Sequence, residues 1–265
     1  MLLTVGRQAL AYDLVGPEGA PAVAFIHSLA ADSGMWTEQV PPLLAAGFQV
    51  LRVDLRGHGG SSPVPGNYAM EQLAGDVIAV MDALALPSAH IVGLSIGGMI
   101  AQCLALDHAA RVRSLVLCDS QPASPADALT RWGPRMVAVQ KAGTCEPLGD
   151  ATMGRWFTDA FRAARPARWR AIRDTIVSTT PQGYIGCAYA IQHFDFRPRL
   201  PSLRKPTLVV VGADDPGAPP GESQHIAKLI PGSRFTEIPN ARHLPNVERP
   251  EVFNQLLLDW LREHP

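Results

Sequence analysis

The chain has 265 residues, of which 47% are hydrophobic and 18% charged, with a formal net charge of −1. These are the proportions of a soluble globular protein long enough to bury a large core. They give no electrostatic reason to expect nucleic acid or a membrane surface as a partner, and no apolar run approaches the length that spans a bilayer.

Taken in chain order, the opening residues 1–7 lack the charged start and long apolar stretch of a secretory signal. Residues 2–5 and 8–14 have the pattern of a hairpin turning at Gly6-Arg7. Residues 23–27 and 49–54 are short continuous apolar runs, as expected of strands buried on both faces. Residues 70–86 carry helical spacing, with Leu73, Val77, Val80, Met81 and Leu84 on one side and Pro87 as the stop. A strand over 89–92, a helix over 99–106 and a strand over 114–118 follow. This alternation predicts an α/β fold built on a mostly parallel sheet with helices on both faces. From about residue 122 to 198 it stops, leaving Arg-, Ala- and Trp-rich helical stretches such as 155–164 and 167–177. It resumes with strands at 207–212 and 234–238 and a last helix over 251–262. The expected organisation is therefore a core from 1–121 and 199–265, interrupted by a helical lid at 122–198 over the edge where open α/β sheets bind ligands. The four cysteines, Cys103, Cys118, Cys145 and Cys187, form no Cys-x-x-Cys pair and read as reduced packing residues of a cytoplasmic protein.

Between the strand at 89–92 and the helix at 99–106 stands Gly93-Leu94-Ser95-Ile96-Gly97-Gly98. A serine with glycine at minus two and plus two in a strand-to-helix turn is the nucleophile-elbow pattern. The turn is too tight for bulky neighbours at those positions, and it aims the first amides of a helix at whatever the hydroxyl attacks. A serine hydroxyl needs a base, and the base needs a carboxylate to fix its tautomer. Downstream the chain offers Gly212-Ala213-Asp214-Asp215 after one strand and Asn240-Ala241-Arg242-His243 after the next. Ser95, Asp215 and His243 are the catalytic candidates, in the chain order this type of scaffold uses. Asp119, just after the strand at 114–118, is a second candidate for the acid. The amides of Ile96 and Leu29, with Ser28 as the alternative to Leu29, are candidates for holding an oxyanion. His90 and His108 sit near element boundaries and read as structural. His193 falls in the helical segment and is a candidate substrate contact. Asp54-Leu55-Arg56-Gly57-His58-Gly59-Gly60 lacks the lysine of a phosphate loop and reads as a packed turn. No His, Cys or carboxylate cluster has metal-ligand spacing in the sequence, so neither a metal nor another cofactor is expected.

These motifs together resemble the α/β-hydrolase superfamily over nearly the whole chain. A narrower resemblance is to the 3-oxoadipate enol-lactonase-like group. It is carried by Gly93-Leu94-Ser95-Ile96-Gly97-Gly98-Met99-Ile100, Arg155-Trp156-Phe157-Thr158, Thr180-Pro181-Gln182-Gly183-Tyr184, Asp215-Pro216-Gly217-Ala218 and His243-Leu244-Pro245-Asn246. The resemblance implies an eight-stranded sheet, a Ser95–His243–Asp215 triad, and hydrolysis of a small-molecule ester or lactone through an acyl-enzyme. It also places Arg155 and Trp156 near the substrate. Two departures stand out. The lid reads Ala190-Ile191-Gln192-His193 where the group tends to read Ala-Ile-Arg-Asp, and the loop after the first buried strand reads His27-Ser28-Leu29-Ala30 rather than Asn-Ser-Leu-Gly. The missing arginine implies a missing carboxylate partner. Trp36, Trp132, Trp156 and Phe157 are candidates for an apolar pocket, or for plain lid packing. A cofactor-free haloperoxidase (perhydrolase), a carbon–carbon bond hydrolase and a ligand-binding receptor are alternatives on the same scaffold. With His243 as base, activity should fall as pH drops through about 6 to 7.

Overall fold

The structure, a computed structural model, describes residues 1–6 and 8–265. Strands β1 (Leu2–Val5), β2 (Gln8–Val15), β3 (Ala22–Ile26), β4 (Gln49–Val53), β5 (Ala89–Leu94), β6 (Val112–Cys118), β7 (Thr207–Gly212) and β8 (Arg234–Ile238) form one eight-stranded sheet of order β1-β2-β4-β3-β5-β6-β7-β8. β2 runs antiparallel to β4 and β1, and the other pairs are parallel. β1 and β2 are the expected hairpin. Its Arg7 lies outside the described residues.

Every residue of β3, β5 and β7 is buried, whereas the edge strands β1 and β8 are mostly not. This is why the central strands read as unbroken apolar runs: helices cover both faces, so neither set of alternating side chains meets water. The core helices are α1 (Val40–Ala45), α2 (Met70–Ala83) and α3 (Ile96–Asp107), and, after the helical segment, α9 (Pro220–Leu229), α10 (Pro245–Glu248) and α11 (Pro250–Glu263). α3 packs on β3, β5 and β6, and α9 on β7 and β8. α11 buries Phe253, Leu257, Trp260 and Leu261, one stripe at helical spacing. Each such side chain contributes about 1.5–3 kcal/mol when fully buried.

α2 stops at Ala83, short of Pro87. Leu86 N–H reaches back to Met81 O (2.9 Å) and Ala85 N–H to Asp82 O (3.0 Å), while Ala85 takes a left-handed φ of 51°. That is a Schellman closure with alanine where glycine is usual, so hydrogen bonding ends the helix before proline can.

Between β6 and β7 lie α4 (Ala128–Ala142), α5 (Gly149–Trp156), α6 (Asp159–Ala164), α7 (Pro166–Ser178) and α8 (Pro181–Gln192). The segment leaves and returns through one neck. Ala123 bridges Asp195, Ser124 N–H donates to Phe194 O (2.9 Å), and Phe196 N–H donates to Pro122 O (2.9 Å). The stretch 155–164, expected as continuous helix, breaks at Phe157-Thr158. Thr158 is extended and caps α6 by accepting the Phe161 N–H at 3.2 Å. The glycine-rich turn docks this segment: Gly57 O accepts the Thr180 N–H at 2.9 Å, and a Cβ on Gly57 would meet Gly183 Cα at 2.6 Å.

Candidate active site

The sheet order reverses between β3 and β5, and the loops leaving the two strands diverge there. That is where open α/β sheets bind ligands. Ser95 follows β5 with φ 58° and ψ −116°, a strained conformation for a residue with a Cβ. The flanking glycines let it form. A Cβ on Gly93 would sit 2.1 Å from Gly97 O, and one on Gly97 would sit 2.2 Å from Ile26 O. Ser95 N–H donates to Cys118 O (2.9 Å) and Ser95 O accepts the Ser120 hydroxyl (3.0 Å), so the turn is held from β6.

Asp215 stands on the loop after β7 and His243 on the loop after β8. His243 Nδ1 and Asp215 Oδ2 are 2.7 Å apart, and Asp215 Oδ1 accepts the Gly217 N–H at 2.7 Å. The Asp215 side chain has no exposure and that of His243 only 8%. With Nδ1 engaged, Nε2 is the ring nitrogen left for chemistry. Trp156 stacks beside the imidazole, centroids 6.4 Å apart at 25°. In α10, directly after that loop, Asn246 Nδ2 donates to Met35 O (2.9 Å) and Gln39 Oε1 (3.2 Å), tying the end of the histidine loop to the turn after β3. Glu248 accepts the N–H groups of Arg242 and Thr158 (2.9 Å each) and the Thr158 hydroxyl, tying it also to the helical segment.

Ser95 and His243 both line a cavity of about 210 Å³, closed by α4, α5 and α8. This is smaller than the roughly 300–1,000 Å³ usual for ligand pockets. Ser28, Leu29, Arg155 and Trp156 line it too. Leu29 and Ile96 are buried, and among the described residues neither amide has a protein acceptor. Unpaired buried donors of this kind are rare; one belongs to the residue after Ser95 and the other to a residue lining the same cavity.

Two expected contacts lie elsewhere. Trp36 is in the core, 4.8 Å from Phe25 and 6.1 Å from Phe253 between ring centroids, because the turn bearing it folds back onto β3. His193 ends α8 with its ring on Tyr189 (3.8 Å) and Nδ1 on Tyr189 O (2.8 Å), and borders a separate surface hollow near Arg199. Phe157 stacks on Phe161 at 4.5 Å inside the helical segment.

Sequence reading missed the cationic wall. Arg131 and Arg135 of α4 line the cavity beside Arg155 of α5, together with Trp132 and Tyr184. Arg131 pairs with Asp127 at 3.3 Å, but among the described residues Arg135 and Arg155 have no carboxylate partner. Burial, then the nearby Arg135 cation, lower the Arg155 pKa. Arg131 and Arg135 are one helical turn apart, a spacing that could have exposed them had α4 been assigned. Gln192, standing where the enol-lactonase-like group tends to carry arginine, donates to Ala188 O (3.0 Å) and Met136 Sδ (3.1 Å).

Two clusters bring three metal-ligating side chains within 4.8 Å, Glu71-Cys103-Asp107 and Asp119-Asp215-His243. In the first, burial pushes the Cys103 thiol pKa up, so it stays protonated and a poor ligand. In the second, Asp215 and His243 are engaged with each other. No described helix is long and apolar enough to cross a membrane.

Residues 21–250 match the family model described as alpha/beta hydrolase fold. The chain is 33% identical to 3-oxoadipate enol-lactonase 1 of Acinetobacter baylyi, over 98% of this chain and 97% of the relative. Among solved structures it resembles the enol-lactonase from Burkholderia xenovorans LB400, with 36% identity, a TM-score of 0.94, and 99% of this chain and 100% of that one covered. It also resembles a malate-bound thermophilic esterase from Thermogutta terrifontis, with 30% identity, a TM-score of 0.92 and both chains covered in full. Sheet order, elbow and full-length similarity agree, and the chain belongs to the α/β-hydrolase family.

Proposed function

We propose that this protein is a cofactor-free serine hydrolase of small carboxylic esters or lactones that carry a carboxylate, resembling the enol-lactonases in substrate class. The observation that carries the reading is the His243–Asp215 pair at 2.7 Å beside a cavity it shares with Ser95. His243 Nε2 takes the Ser95 proton as Oγ attacks the carbonyl carbon. The Leu29 and Ile96 amides hold the oxyanion, a contribution of about 3 kcal/mol each to the barrier. The C–O bond breaks as His243 returns the proton to the leaving alkoxide, which in a lactone stays tethered to the acyl group. Water deprotonated by the same histidine then releases the acid. Arg135 and Arg155, lacking acidic partners among the described residues, would meet the substrate carboxylate. Residues 122–198 act as the lid, leaving and returning through the Ala123–Asp195 neck.

The test is a panel of p-nitrophenyl esters, with neutral and carboxylate-terminated acyl groups, run beside simple lactones and the enol-lactone of 3-oxoadipate. Wild type should turn over the anionic members best. Ser95→Ala should lose at least about 10⁴-fold in kcat and escape labelling by a fluorophosphonate. An active Ser95→Ala variant would refute the nucleophile. Oxidation that requires peroxide, without ester turnover, would favour the perhydrolase.

A further inference from the structure

Asp119 is buried directly beside the acid–base pair and takes no part in the mechanism above. It follows β6 with a left-handed φ of 45° and has no solvent exposure. Its Oδ1 accepts the Gly212 N–H at 2.9 Å, while Oδ2 is buried without any hydrogen-bond donor among the described residues. One carboxyl oxygen of Asp119, one of Asp215 and a ring nitrogen of His243 all lie within 4.8 Å of one another. Two unexposed carboxylates this close repel each other, so ionisation of both is disfavoured. The charge settles where it is better solvated. Asp215 accepts N–H bonds on both oxygens, one of them from a ring that becomes cationic during turnover, whereas Asp119 accepts a single neutral amide.

We propose that Asp119 is a positioning residue whose carboxyl keeps its proton on Oδ2 and donates it to the Asp215 carboxylate, so that the two acids share one negative charge. Burial first, and then the Asp215 charge, push the Asp119 pKa well above the usual carboxylate range, in line with the geometry. The titratable groups facing the pair are His243, the Cys118 thiol, kept neutral by burial, and, around the cavity, Arg131, Arg135 and Arg155. A third hydrogen bond to Asp215 fixes its orientation under the imidazole and draws charge away from it, which tempers its hold on the protonated ring. In its consequence for turnover this rests on the proposed hydrolase reading.

Asp119→Asn and Asp119→Ala separate the possibilities. Asparagine keeps a donor toward Asp215 and an acceptor for Gly212, and it tolerates a positive φ. Alanine removes both. On a neutral p-nitrophenyl ester, the acid limb of kcat/KM should move up by about half a pH unit or more in Asp119→Ala. Asp119→Asn should restore it to within about 0.2 of wild type and recover most of the lost turnover. In isotope-edited infrared spectra of protein labelled with ¹³C-carboxyl aspartate, wild type at neutral pH should show a carboxylic-acid C=O band that Asp119→Asn abolishes. Absence of that band, or an Asp119→Asn variant as inactive as Asp215→Asn, would overturn the assignment. Identical pH profiles in all three proteins would also overturn it, leaving only packing. Should the alanine variant not fold, the infrared band and the asparagine profile decide the matter. The infrared measurement needs no substrate, so a wild type inert toward every ester would sink the hydrolase reading while leaving the shared proton to stand or fall on its own.

Discussion

Gly212, the last residue of β7, sets the distance between the strand leading to Asp215 and the loop bearing His243. A Cβ there would lie 2.0 Å from Arg242 O and 2.6 Å from Ala241 O, both backbone atoms. Since Cβ contacts below 3.0 Å essentially do not occur, Gly212→Ala must drive the histidine loop back by about 1 Å. Neither side yields easily. Gly212 is paired with Ile238 of β8, its N–H is held by Asp119, and Asp214 N–H donates to Ala241 O at 3.0 Å. A retreat of that size stretches the 2.7 Å His243–Asp215 contact beyond hydrogen-bond reach. Misplacement by 1 Å costs on the order of 100-fold in rate, and overpacking costs about 1–3 kcal/mol of stability. Gly212→Ala should therefore lose about two decades of kcat/KM on a p-nitrophenyl ester, slow fluorophosphonate labelling, and melt about 2–10 °C lower. Gly221→Ala on α9 is the control, because a Cβ there meets nothing within 4 Å. It should leave activity unchanged and add up to about 1 kcal/mol. A Gly212→Ala variant within about threefold of wild type would falsify the claim that backbone contact at this point sets the catalytic spacing.

Arg155→Ala should raise KM for carboxylate-bearing esters by about 10- to 100-fold, the worth of a charge-assisted hydrogen bond, and leave neutral esters almost untouched. Equal losses on both would remove the anion role. Thr158→Val, which deletes the α6 cap and the hydroxyl bond to Glu248, should cost about 1–3 kcal/mol in a urea melt. A melt unchanged from wild type would mean the clasp contributes nothing. Burial, with a smaller contribution from His27, holds His58 at a pKa of about 3. Burial, with Arg113 next, holds His90 at about 4. The unfolded chain binds these protons below about 6.5, so the stability is fully present above that pH. It drains away as pH falls toward 4, by up to about 1.4 kcal/mol per unit for each histidine. Denaturant midpoints measured from about pH 7 to about pH 4.5 should fall accordingly, and a flat series would contradict the neutral buried rings.

The parts of the fold visible in the sequence were those dictated by local constraint. Continuous apolar runs marked β3, β5 and β7 because both faces are covered, and the glycines around Ser95 marked the turn because no Cβ fits there. What escaped depended on tertiary neighbours. Pro87 looked like the end of α2, but the Met81 and Asp82 carbonyls closed it sooner. The Phe157-Thr158 break is imposed jointly by a cap and by Glu248, ninety residues away. Trp36 and His193 have the chemistry of ligand contacts, yet one is turned into the core and the other onto its own helix. Arg135 was overlooked for the opposite reason: an arginine on an unassigned helix reads as a solvated charge until a cavity is found beneath it.

The clasp of Glu248 on Thr158 and Arg242 limits how the molecule can be rebuilt. An engineer wanting a new specificity would graft a roof from a relative onto this floor. Here the floor's His243 loop hangs partly from that roof, so a chimera inherits a looser loop unless the donor segment brings its own threonine to the same carboxylate. Any change in the roof is bound by the same rivet: the strip joining the second and third roof helices must keep a hydroxyl for that carboxylate if the tie is to hold.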